Sequence, residues 1–161
     1  MLFLVATASL AQLIASCAPH VGRRTMSAVV AYESGGRPYA IDDDTARRAY
    51  FPRSRNGAAR LVRSLLRAGH NLDVGFAQVN SGNFAALRID SDSAFEPCTN
   101  LAAGARILRE AYARAARTYG PGQRALFHAL SAYNTGDLRA GSAYARAVFA
   151  TARHRSDIAN P

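Results

Sequence analysis

Lysine is absent. All 20 basic residues are arginine, set against 11 acidic ones, and the net charge is +9. Together with abundant alanine, the missing lysine reads as the codon usage of a GC-rich genome rather than as a site. The charge excess is a separate matter. It calls for a solubility role or an anionic partner: nucleic acid, a membrane surface or a cell-wall polymer. Cysteine is scarce: Cys17 and Cys98 form no CxxC pair, and His20, His70, His128 and His154 are scattered, which argues against a zinc site. Two distant cysteines suit either one disulfide in an exported domain or two buried thiols in a cytosolic one. There is no internal repeat and no low-complexity block, which excludes a solenoid. A length of 161 residues excludes the large barrels and leaves room for one domain. Hydrophobic residues at 49% and charged residues at 19% exclude a disordered chain. The apolar N-terminus, Met1 to Ala18, is broken by Gln12 and several Ser and Thr, and is short for a membrane span. Residues 1–8, with the small-residue pattern Ala6-Thr7-Ala8, read as a signal-peptide remnant lacking the usual basic start. A domain is expected over 9–152, followed by a flexible polar tail over 153–161.

What is present is mostly helical patterning. Ser9 to Ser16 reads as a short helix, and Thr25 to Glu33 as a second, with Thr25 as N-cap and Gly35-Gly36 as the stop. Arg37 to Pro52 has no helical period and reads as one small hairpin around an acidic turn, Asp42-Asp43-Asp44. Asn56 is the expected cap of a helix with Leu61, Val62, Leu65 and Leu66 on one face, ended by Gly69. Ser81 to Leu87 is a short helix. In Asn100 to Tyr119, Leu101, Ala105, Leu108, Tyr112, Ala115 and Tyr119 recur at steps of three and four, and Glu110 and Arg114 are spaced as an i,i+4 ion pair. Pro121 opens a helix carrying Leu126, Leu130 and Tyr133, and Ser142 to Ala152 is the last.

Three segments carry chemistry. The chain has three Glu, and Glu33 is the unusual one: it follows the apolar run Met26 to Tyr32 and closes a helix. Apolar surroundings and the negative end of the helix dipole both disfavour its charged form. A carboxylic acid that keeps its proton near neutrality is what a general acid requires. Most glutamates at helix ends are only solvated charges, so the position alone decides little. Asn71 to Phe84 is dense in amides. Gln78 and Asn80 point the same way if the stretch is extended, and amides offer donors and acceptors to sugar hydroxyls and acetamido groups. Ser131 to Gly136 holds Tyr133 on an apolar face, whose hydroxyl needs a partner, and Asn134 at a helix stop. Each of these has an ordinary structural explanation when taken singly.

Taken in order, Glu33-Ser34-Gly35, Gly75-Phe76-Ala77-Gln78-Val79-Asn80 and Ala132-Tyr133-Asn134 resemble the motifs of the lysozyme-like lytic transglycosylases. Cys17-Ala18-Pro19, Leu72-Asp73-Val74-Gly75, Asn80 to Phe84, Pro97-Cys98 and Ser131 to Asp137 are similar to the VirB-type subgroup of type IV secretion systems. Phe76 and Ala77 depart from the Leu and Met usual in the second motif, where the Met lines the groove. The resemblance implies an α+β, predominantly α fold of goose-lysozyme type with one small β-hairpin. It implies a Cys17–Cys98 disulfide and a periplasmic, monomeric enzyme without cofactor or metal. Its partners would be peptidoglycan glycan strands and components of a type IV secretion system, with no nucleic acid and no stable membrane insertion. Glu33 would be the catalytic acid, and Ser34, Gln78, Asn80, Tyr133 and Asn134 would bind substrate. Asp73 reads as a structural cap or turn residue, and as the second carboxylate if the enzyme is instead a hydrolytic lysozyme. A non-catalytic peptidoglycan-binding assembly protein is the rival of another class.

Overall fold

The computed structural model describes residues 8–158, with side chains through 154. The signal-peptide remnant read at 1–8 therefore lies, except for its last residue, outside the described residues. Ser9 starts α1 (Leu10–Cys17) with a reciprocal cap, its amide donating to Gln12 and its hydroxyl accepting from the Gln12 amide. Helix α2 spans Arg23–Glu33. It begins at Gly22 rather than at Thr25, because the Met26 amide already reaches the Gly22 carbonyl.

The strands are short: β1 (Ile41–Asp43), β2 (Arg48–Tyr50), β3 (Leu72–Val74) and β4 (Val79–Asn80). They form one antiparallel sheet in the order β2-β1-β3-β4. The expected hairpin is thus half of the sheet, and the amide-rich segment supplies the other half. Asp42 and Asp43 belong to β1 and not to the turn. Alternation sends Asp43 inward, where it accepts from the Ala46 amide and from His70 Nδ1, while Asp42 faces outward. Between β2 and β3 lies α3 (Arg55–Arg67), capped by Ser54, whose Oγ accepts from the Gly57 amide; Asn56, the expected cap, is inside the first turn.

A 3-10 turn at Ser81–Asn83 leads into α4 (Phe84–Leu87), and a second at Ser93–Phe95 precedes α5 (Pro97–Tyr119). At 23 residues, α5 is about 34 Å long and packs against both α1 and α6. Then come α6 (Gln123–Thr135) and α7 (Ser142–Ile158), the latter running past the expected end at Ala152. Glu110 pairs with Arg106 at 2.8 Å, one turn earlier on α5, and not with Arg114 as the spacing suggested.

Two apolar clusters result. One joins α1, Met26 and Val30 of α2, the sheet, α3 and the start of α5; the other joins Ala28 and Val29 of α2 to the later part of α5, α6 and α7. Helix α2 belongs to both. Each fully buried Met or Val on it contributes about 1.5–3 kcal/mol, which fixes where its last residue falls. A Cys17–Cys98 disulfide joins the end of α1 to the start of α5.

Candidate active site

Helix α2 ends at the junction of the two clusters, and Glu33 is its last residue. The carboxyl is half-buried in a groove of about 770 Å³ between the sheet on one side and α5 and α6 on the other. Burial raises its pKa to about 7, with further upward pressure from the Asp73 and Asp42 carboxylates. One interaction opposes this. Tyr144 of α7 donates its hydroxyl proton to Glu33 Oε1 at 2.5 Å, which favours the ionised form. The Tyr144 ring is held edge-on by Tyr32 (5.0 Å) and stacks near Tyr133 (6.4 Å). Burial beside Glu33 also pushes the Tyr144 hydroxyl well above its usual range, so it stays a proton donor.

The second amide segment is the hairpin β3–β4, and its turn is the most constrained element of the site. Gly75 has φ +78°, and a Cβ there would lie 2.3 Å from Asn100 Nδ2. Asn100, buried on α5, donates to the carbonyls of Val74 (2.9 Å) and Ala94 (3.0 Å) and accepts from the Ala77 amide (2.8 Å). Tyr133 donates to the Ala77 carbonyl at 2.6 Å, which is the partner its hydroxyl needed. Gly104 of α5 admits this turn: a Cβ at that position would meet Ala77 Cβ at 2.5 Å and the Tyr133 hydroxyl at 2.9 Å. Phe76 and Ala77 are both buried and neither lines the groove, so the departure at these two positions is absorbed in the core.

Gln78 takes a left-handed conformation, φ +45°, uncommon for a residue other than glycine. Its amide nitrogen donates to the carbonyls of Gly75 (2.8 Å) and Ala40 (3.3 Å). Its Oε1 is buried without a protein partner. Backbone strain and an unused side-chain acceptor in one residue are features that cluster at functional sites. Asn80 lies across from Asp73 and donates to its Oδ1 at 2.9 Å.

Asp73 is neither a cap nor a turn residue. It sits mid-strand in β3, directly opposite Asp42 on one side and Asn80 on the other, with its side chain in the groove. Burial raises it to about 6; the Asn80 bond acts the other way, and the carboxylates of Asp44 and Asp42 add to the rise. Of the residues singled out in the sequence, Glu33, Gln78, Asn80, Tyr133 and Asn134 line one groove. Ser34 does not. Its buried hydroxyl donates to the carbonyls of Phe76 (2.8 Å) and Val30 (3.2 Å), tying the end of α2 to the β3–β4 turn. Sequence reasoning missed Tyr144, Asn100 and Gly104. Nothing in their local pattern distinguishes them from ordinary helix residues. Among the described residues, no three His, Cys, Asp or Glu side chains converge as a metal site, and no helix is long and apolar enough to cross a membrane.

A mostly helical body, a small antiparallel sheet and an acid set in the groove between them define a lysozyme-like domain. Residues 11–155 match the model of the Transglycosylase SLT domain, and the chain belongs to that family. Protein virB1 of Agrobacterium fabrum is 40% identical over 134 residues, 82% of this chain and 54% of that protein. Type IV secretion system protein virB1 of Brucella abortus is 40% identical over 126 residues, 78% of this chain and 53% of that protein. The chain spans about half the length of these curated relatives. No solved structure matches it.

Proposed function

We propose that the chain is a peptidoglycan lytic transglycosylase that cuts the β-1,4 bond between N-acetylmuramic acid and N-acetylglucosamine without water. The observation that carries this reading is Glu33: an acid raised to about 7, set in an open groove lined by amides. At neutral pH about half of such groups hold a proton. Glu33 donates it to the bridging oxygen as the C1–O bond breaks, and the muramic 2-acetamido oxygen supports the developing positive charge at C1. Glu33, now a carboxylate, takes the proton of the C6 hydroxyl. The O6–C1 bond closes, leaving a 1,6-anhydro end and a protonated enzyme ready for another cycle. Gln78 forms part of the groove wall, and Asn134, exposed in the groove, suits ring hydroxyls. Ser34 and Tyr133 act through the turn they hold.

A second reading is favoured by Asp73. Raised only to about 6, it is mostly ionised when Glu33 is half protonated, and two carboxyls pushed to different values are what a hydrolytic glycosidase uses. Product mass decides between them. Incubation with peptidoglycan should give anhydro-muropeptides, one water lighter than hydrolysis products, and Glu33→Gln should give none. Reducing-end products abolished by Asp73→Asn would establish the hydrolase. Binding without products from the unaltered chain would establish an assembly role.

The biological task in this reading is local opening of the cell wall for a type IV secretion or conjugation machine. It is supported by the names of the two relatives and by the Cys17–Cys98 disulfide, which fits the oxidising periplasm. The enzyme acts as a monomer and meets the glycan strand directly.

A further inference from the structure

Helix α5 walls the groove with Ile107, Glu110, Arg114 and Arg117, which recur at steps of three and four and so share one face. The charges on this face are not balanced. The Glu110 carboxylate is taken by Arg106, one turn back. Arg114 and Arg117 are exposed in the groove and make no ion pair or hydrogen bond to the described residues. Opposite them, on the sheet side, the groove is acidic, with Glu33, Asp44 and Asp73. The groove is therefore polarised across its width.

The proposed sugars do not explain two open guanidinium groups. N-acetylglucosamine is neutral, and the lactyl carboxyl of muramic acid is consumed in the amide to its stem peptide. Free carboxylates in peptidoglycan sit on the stem peptides. A guanidinium matches a carboxylate in shape and charge. The acidic sheet side repels the same groups.

We infer that Arg114 and Arg117 form a carboxylate-recognition wall that binds the stem peptides hanging from the glycan strand. This rests on peptidoglycan being the substrate. It makes the protein selective for peptide-bearing strands with free stem carboxylates. Gly104 of α5 lies beneath Tyr133 and the β3–β4 turn, and Arg114 is ten residues further on, roughly 15 Å along the helix. The wall thus acts beside the scissile bond and not on it.

The test compares glycan strands carrying native stems with the same strands after carbodiimide-and-ammonia amidation of the stem carboxylates. Size is kept and only charge is removed. Binding is measured calorimetrically with Glu33→Gln, so that no turnover intervenes, and cleavage with the unaltered chain. Native strands should bind about tenfold tighter than amidated ones at low salt, and the difference should shrink as ionic strength rises. Adding Arg114→Gln and Arg117→Gln should reduce the difference to below about twofold, while Lys at both positions should keep part of it. Melting curves check that the variants fold, and the salt series on Glu33→Gln alone tests the charge dependence without them. Equal binding of native and amidated strands, or a difference that survives both Gln substitutions, would overturn the inference. Selective binding without cleavage would sink the transglycosylase reading and leave the wall standing; anhydro products with no effect of amidation would do the reverse.

Discussion

At Glu33, burial and the neighbouring carboxylates push the pKa up while the Tyr144 hydroxyl pulls it down, and the value near 7 is the balance. A general acid must be protonated, so kcat/KM should fall above about pH 7, roughly tenfold per pH unit. Tyr144→Phe removes a bond that favours the carboxylate. The alkaline limb of the pH profile on labelled peptidoglycan should therefore move up by about one pH unit, the equivalent of one charge-assisted hydrogen bond. A limb that stays in place or moves down would show that the hydroxyl does not tune this proton. Glu33 was legible in the sequence because an acid after seven mostly apolar residues is conspicuous. Tyr144 was not, because it is 111 residues away and resembles any core tyrosine on a helix.

Among the elements, the hairpin β3–β4 shows where sequence patterning stops. Its strands are three and two residues long, too short for alternation to mark them off within the amide-rich stretch. Its place is set by one side chain on another element. Asn100 satisfies two buried carbonyls and one amide, and its own position predicts only the first turn of a long helix. Asn100→Ala would strand all three groups. It should cost about 3 kcal/mol or more in urea unfolding, well above the loss expected from helix propensity, which favours Ala. An unchanged urea midpoint would mean that the turn finds other partners. The long amphipathic α5 was legible because its apolar stripe repeats over five turns. Its ion pairing was not, because Arg106 and Arg114 are both one turn from Glu110 and only packing chooses between them.

For the whole molecule, the acid proposed to serve chemistry weakens the fold. Glu33 and Asp73 both have folded pKa values above their ordinary ones, so between about 4 and 7 the folded state holds more protons than the unfolded one. Stability must then fall as pH rises through that window, by on the order of 2–3 kcal/mol for Glu33 alone. Glu33→Gln should accordingly raise the melting temperature near pH 8 and leave it almost unchanged near pH 4. An equal change at both would place the effect in packing and not in the charge. The disulfide acts at the same scale. It closes a loop of sequence separation 81, which the chain-entropy account values at about 4.5 kcal/mol. The apolar faces of the helices were legible; that they divide into two clusters with α2 in both was not, since a short helix does not declare how many partners it has.

The distance between Glu33 and Tyr144 along the chain also sets an order in time. A ribosome reaches Glu33 roughly ten seconds before it has made the 111 residues leading to Tyr144. A chain delivered N-terminus first brings out its glutamate well ahead of the helix that carries its hydroxyl partner. Any chain cut short by early termination or proteolysis before α7 carries the acid without its tuning hydroxyl. If the proposed chemistry holds, the wall-cutting centre is the last thing the protein assembles, and incomplete copies carry it unfinished.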